Sequence, residues 1–151
     1  MQENSLIQLM ADQANNLEEL IITLKKIQKF IVSSDIENLE EQVEREEKIL
    51  HRLKLKEIER TNAIKDLINQ ENLNCELEDA MDLISEKMSE ADPSIYEAFL
   101  LLRKQLTENV GQVMYLNSQN SILINNSRNF IKDLLRNLLG SRKDNFFDKK
   151  V

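Results

Sequence analysis

Backbone punctuation is almost missing from this chain, which has 2 glycines and 1 proline in 151 residues. An all-β fold needs a turn roughly every ten residues. Dinucleotide-binding and phosphate-binding loops need glycines at fixed places. Both classes are excluded. Aromatic residues make up 5% of the chain and charged residues 31%. With Leu, Ile, Glu, Lys and Asn dominant, this is the composition of long amphipathic helices. The length suits one domain.

Apolar spacing divides the chain into four helices. Leu6, Met10, Leu17, Leu20, Leu24, Ile27 and Ile31 recur in steps of three and four, with Gln13 as the polar gap, and predict a first helix from about Asn4 to Val32. Ser34, with Glu37 three residues on, fits a capping box opening a second helix over about 35–70. There Ile36, Leu39, Val43, Leu50 and Leu53 share one heptad phase, while Ile58, Ile64 and Ile68 continue in a shifted one. Leu73, Leu77, Ala80, Met81, Ile84 and Met88 mark a short third helix, about Asn74 to Ser89. Asp92 and Pro93 start the fourth, with Ser94 and Glu97 as an alternative capping box.

No strong stop follows until Gly140, so the fourth helix reaches up to about 70 Å, against about 25 Å for the third. Asn109 and Asn120 fall in phase with its apolar stripe, where Asn lowers stability and fixes register. The expected fold is all-α: an elongated antiparallel up-down bundle of about four helices with coiled-coil-like packing over residues 1–140, followed by a mobile tail over 141–151.

The length mismatch has a consequence. Part of the fourth helix should project past the bundle unless it breaks near Gly111 or Ser121. Its distal part is apolar, with Ile122, Leu123, Ile124, Phe130, Ile131, Leu134, Leu135, Leu138 and Leu139. Such a stripe requires a cover, supplied by an external helix, by a second copy of the chain in a homodimer, or by the bundle itself. Ile124, Phe130, Ile131, Leu134, Leu135 and Leu138 are the candidate binding residues, with Arg128, Lys132 and Arg136 bordering them. Asn117 and Asn120 either fix register or hydrogen-bond a bound helix.

The net charge of −7 argues against general nucleic-acid binding. Residues 35–92 carry 18 acids and 8 bases, whereas residues 93–151 carry 5 acids and 9 bases. No apolar run approaches a membrane span, so no membrane insertion is expected. The first residues lack the basic and apolar regions of a signal peptide. The lone Cys75 marks no oxidising compartment, and a cytoplasmic protein is the expectation. One histidine, His51, cannot build the paired Glu-x-x-His sites of a carboxylate metal bundle. Neither a metal, a cofactor nor an enzymatic activity is expected.

The segment Leu116-Asn117-Ser118-Gln119-Asn120, followed by Ile122-Leu123-Ile124, resembles the C-terminal helix of FlgN-type flagellar export chaperones, whose pattern reads L-N-x-x-N-x-x-L-[LI]. The stretch from Ser34-Asp35-Ile36-Glu37-Asn38-Leu39 to Arg60 is similar to that family's second helix. The ending Phe146-Phe147-Asp148-Lys149-Lys150-Val151 is similar to its F-D-x-K terminus. The resemblance implies a cytoplasmic chaperone, without cofactor or catalysis. Its clients would be hook–filament junction proteins, whose C-terminal helical segments it keeps unpolymerised and delivers to the cytoplasmic domain of the export gate. The tail departs from the family pattern in lacking a tyrosine, and Phe146 or Phe147 would have to take over any gate contact. The competing expectation is a structural coiled-coil adaptor or scaffold subunit.

Overall fold

The computed structural model describes residues 2–139. They form α1 (Gln2–Ser33), α2 (Ile36–Gln70), α3 (Leu77–Ala91) and α4 (Pro93–Leu139), with no strand among the described residues. The fold is an all-α bundle in which α4 runs unbroken through Gly111 and Ser121.

The turn between α1 and α2 differs from the predicted capping box. Ser34 takes the left-handed conformation, with φ 55°. Its N–H donates to Ile31 O at 3.2 Å, and the Asp35 N–H donates to Phe30 O at 3.0 Å. This is a Schellman closure built on Ser where Gly is usual. With Ser34 closing α1, the capping role passes to Asp35, whose carboxylate accepts from the Asn38 N–H at 3.3 Å. Helix α2 ends in the same way. Asn72 has φ 51°, the Leu73 N–H donates to Ile68 O at 3.0 Å, and both Leu73 and Ile68 pack on the core.

The cross-helix bonds fix the directions. Gln105 bonds Glu18 and Gln119 bonds Gln28, so α4 runs parallel to α1. Gln13 bonds Glu57 and Glu19 pairs with Arg52, so α2 is antiparallel to α1. Arg60 lies by Met81 and Glu71 by Lys87, so α3 is parallel to α2, a departure from the expected strict up-down alternation. The linker Glu71–Glu76 therefore climbs back along the bundle before α3 descends. That climb is why α3 begins at Leu77 and not at Asn74.

Around the bundle, α1 packs on α2 and α4, and α3 packs on α2 and α4, while the backbones of the diagonal pairs stay apart among the described residues. One end of the core joins all four helices through Leu6, Met10, Ile64, Leu67, Ala80, Ile84, Met88 and Phe99. The other end has three helices only, through Leu20, Ile21, Leu24, Ile27, Ile49 and Leu116.

The α2 stripe departs from its predicted phase. Ile49 is fully buried, whereas Ile58 is 52% exposed. The core line runs Leu53, Glu57, Arg60, Ile64, Leu67 in unbroken steps of four and three, with a polar pair in its middle. That pair meets the polar gap of α1. Gln13 Nε2 donates to Glu57 Oε2 at 3.2 Å, and Arg60 forks onto both Glu57 oxygens at 2.7 and 2.9 Å. One polar layer accounts for both gaps, and no change of phase is needed.

Candidate functional site

Helix α3 lies in the groove between α2 and α4, but it is short. Its Met81 stands level with Arg60 of α2 and its Asp82 with Arg103 of α4. Beyond its first turn the groove continues with nothing from this chain seated in it among the described residues. The open stretch alongside α2, from about Lys56 back to Ile36, is about 30 Å long.

Where α3 stops, the groove encloses about 710 Å³. Its floor is Met10, Gln13 and Leu17 of α1, its walls Leu53, Lys54 and Glu57 of α2 and Leu106, Thr107 and Val110 of α4, and its end is Met81. The walls continue by heptad register. On α2 the position of Glu57 recurs at Leu50, Val43 and Ile36, which are 46%, 38% and 68% exposed. On α4 the position of Arg103 and Val110 recurs at Asn117 and Ile124, and Ile124 is 45% exposed.

A few polar groups interrupt these apolar walls. Glu46 shares the register of Leu39 and Leu53 and is half-buried, with no ion pair among the described residues. Burial, and then the adjacent Glu47 charge, raise its carboxyl above the ordinary value. The Glu57 carboxyl is lowered, chiefly by its hydrogen bonds from Arg60. Gln13 is buried, and its Oε1 has no donor. The cleft at the opposite end, about 440 Å³ between Leu67, Leu73, Ile84, Met88 and Ile95, lies under the α2–α3 linker and belongs to the bundle's own seam.

The sequence-predicted site residues separate into three groups. Ile124 and Asn117 stand exposed in the α4 wall register. Asn120 is buried in the α1–α4 seam, where its Nδ2 donates to the Leu24 carbonyl at 3.1 Å. The side chains of Arg128, Phe130, Ile131, Leu134, Leu135 and Leu138 lie outside the described set, though their backbone is part of α4. Phe146, Phe147 and the rest of 140–151 also lie outside the described residues.

The projection of α4 is visible in its backbone. Gln28 bonds Gln119, which sets the end of α1 at Ser33 level with about residue 124, and α4 runs about 22 Å further to Leu139. The heptad pattern groups Ile36, Val43 and Leu50 with Leu39 and Leu53 in one stripe without telling covered from open positions, and it does not single out Val110. The length mismatch used for α4 would have exposed them had it been applied to α2.

His51 is exposed on α2 and Cys75 is half-buried in the linker. No cluster of three or more His, Cys, Asp or Glu that could hold a metal occurs among the described residues. No described helix is long and apolar enough to cross a membrane.

A helix-wide apolar groove along an all-helical bundle has the dimensions to receive an amphipathic helix. The chain belongs to the FlgN family: the family's sequence model, described as FlgN protein, matches residues 1–150. The family is one of flagellar export chaperones and not of enzymes. No curated protein matches the chain, and no solved structure does.

Proposed function

We propose that this protein is a cytoplasmic export chaperone for hook–filament junction proteins, which holds their C-terminal helical segments unpolymerised and delivers them to the cytoplasmic domain of the export gate. Family membership supports the chaperone role. The observation that carries the client reading is the length of α4, whose backbone passes the level of the α1–α2 turn at about residue 124 and continues to Leu139.

In this reading Ile124, Phe130, Ile131, Leu134, Leu135 and Leu138 form the client seat on that segment. A client's amphipathic helix covers them, and each buried Leu, Ile or Phe contributes about 1.5–3 kcal/mol before ordering costs are subtracted. Asn117 adds a side-chain amide beside the seat. Phe146 or Phe147 serves the gate contact that a tail tyrosine would otherwise make.

The test is capture of recombinant C-terminal segments of the cell's own junction proteins by the wild-type chain and by an Ile131→Asp, Leu134→Asp variant. The expected outcome is tight capture by the wild type, loss of capture in the variant, and the same melting temperature for both. No capture by the wild type overturns the chaperone reading. Unchanged capture by the variant moves the client away from distal α4.

A further inference from the structure

We propose that the client seat extends down the open groove between α2 and α4, and that the client's amphipathic helix lies there in line with α3, as the missing upper half of the bundle's fourth corner. The inference rests on the chaperone reading and deepens it by naming the seat and the chemistry of its occupant.

Three observations carry it. The first is continuity with an interface the fold already uses. Helix α3 occupies the same groove lower down, through Ala80, Ile84 and Met88 on one stripe, so the gap between α2 and α4 has the width of a helix. The second is the lining. Ile36, Val43 and Leu50 on one wall and Val110 and Ile124 on the other are large apolar residues, each 38% exposed or more, in heptad register along both sides. Exposed apolar rows facing each other across a helix-wide gap are read by a helix with anchors three and four residues apart. The α4 row also passes through Ile124 into the register of Ile131, so groove and projection form one track.

The third observation is electrostatic. The polar groups near the track that lack partners include three acceptors, the half-buried Glu46 carboxylate, with no cation among the described residues, and the buried Gln13 Oε1 and Gln42 Oε1, beside one donor, Asn109 Nδ2. A basic helix position facing Glu46 supplies what the groove lacks, since a half-buried carboxylate gains most from a charge-assisted hydrogen bond. The occupant is therefore an amphipathic helix with a 3–4 apolar stripe and a Lys or Arg beside that stripe. At about 30 Å it spans about 20 residues.

The experiment titrates recombinant C-terminal segments of the junction proteins into the full chain by calorimetry. The wild type is compared with a Val43→Asp, Leu50→Asp groove variant, with Glu46→Lys, and with the distal variant described above. We expect the groove variant to melt like the wild type and to bind at least about 100-fold more weakly, the effect of placing charge in the centre of an apolar interface. Glu46→Lys should weaken binding about 10-fold. In a Cys75→Ser background, Asn117→Cys carrying a photoreactive label should crosslink to the client.

A wild type that binds no segment overturns the chaperone reading and this inference with it. A wild type that binds, with a groove variant that binds equally well, overturns the inference alone. If the groove variant fails to fold, the label at position 117 decides, and absence of a client crosslink overturns the proposal. A wild-type dimer that the groove substitutions dissociate without changing client affinity assigns the groove to a second copy, and overturns it too.

Discussion

Asn120 of α4 donates its amide N–H to the backbone carbonyl of Leu24 in α1, at 3.1 Å, while its own Oδ1 is buried without a partner. The first half of that relationship ties the two parallel helices at one level. The second half costs stability, because a buried acceptor has given up water for nothing. The Asn that aligns α1 with α4 thus weakens the seam it aligns.

Asn120→Leu should raise stability by about 1 kcal/mol, read as a higher urea midpoint with an unchanged slope. The Leu24 carbonyl keeps its helical acceptor role, so the substitution orphans no group. A fall in the midpoint would show that the hydrogen bond outweighs the orphaned oxygen.

Two residues close together on α4 predict opposite outcomes. Phe99 is fully buried in the core cluster that also holds Leu6, Met10 and Met88, whereas Leu101 is 67% exposed. Phe99→Ala should cost about 3–5 kcal/mol, since it removes a large side chain and leaves a cavity where all four helices meet. Leu101→Ala should stay within about 0.5 kcal/mol. Thermal melts of the two variants side by side check both. Similar losses would mean that the outer face of α4 is covered in solution.

The sequence carries the helices well because their ends are chemically marked. Pro93 with Asp92 opens α4, and nothing before Gly140 interrupts it. The apolar stripe of α1 is also legible, because most of its members face a core that runs the full length of that helix. Helix α2 reads less well for two reasons. The Glu57–Arg60 pair sits in the core line and mimics a change of phase, so the buried Ile49 falls outside the predicted stripe and the exposed Ile58 inside it. The stripe of Ile36, Val43 and Leu50 is apolar whether or not a helix covers it, and only the placement of α3 decides. That placement depends on the climb of the linker Glu71–Glu76, which no local pattern encodes. The candidate groove was therefore hidden in the sequence, while the long apolar α4 that borders it was plain.

Asp92 joins α3 to α4. Its Oδ1 accepts from the Ser94 hydroxyl at 2.8 Å and from the backbone N–H groups of Ser94 and Ile95 at 3.1 and 3.4 Å. The Ser94 hydroxyl first, then those N–H groups, hold its carboxyl below the ordinary range. Asp92→Ala should lower the melting temperature at neutral pH, and Asp92→Ser or Asp92→Asn should restore most of it, because either side chain still accepts from the first turn. An Ala variant that melts like the wild type would show that Pro93 alone starts α4.

The polar layer of Gln13, Glu57 and Arg60 makes a pH-dependent prediction whose sign is fixed by the direction of the shift. Arg60 hydrogen bonds hold the Glu57 carboxyl below its ordinary value of 4.5, so the folded state favours the ionised form. A depressed folded pKa contributes stability that is fully present above the unfolded value, and lost as pH falls through the folded one. Both side chains are partly open to water, at 24% for Arg60 and 49% for Glu57, so solvent holds the pair to no more than about 1 kcal/mol. Arg60→Gln should therefore be less stable than the wild type at pH 7. The difference should shrink as pH falls below about 4.5 and through the depressed folded value, and vanish once Glu57 is protonated in both chains. Urea melts at pH 7, 5, 4 and 3 check it. A difference that stays constant with pH would mean that Arg60 acts through its packing against Met81 and not through Glu57.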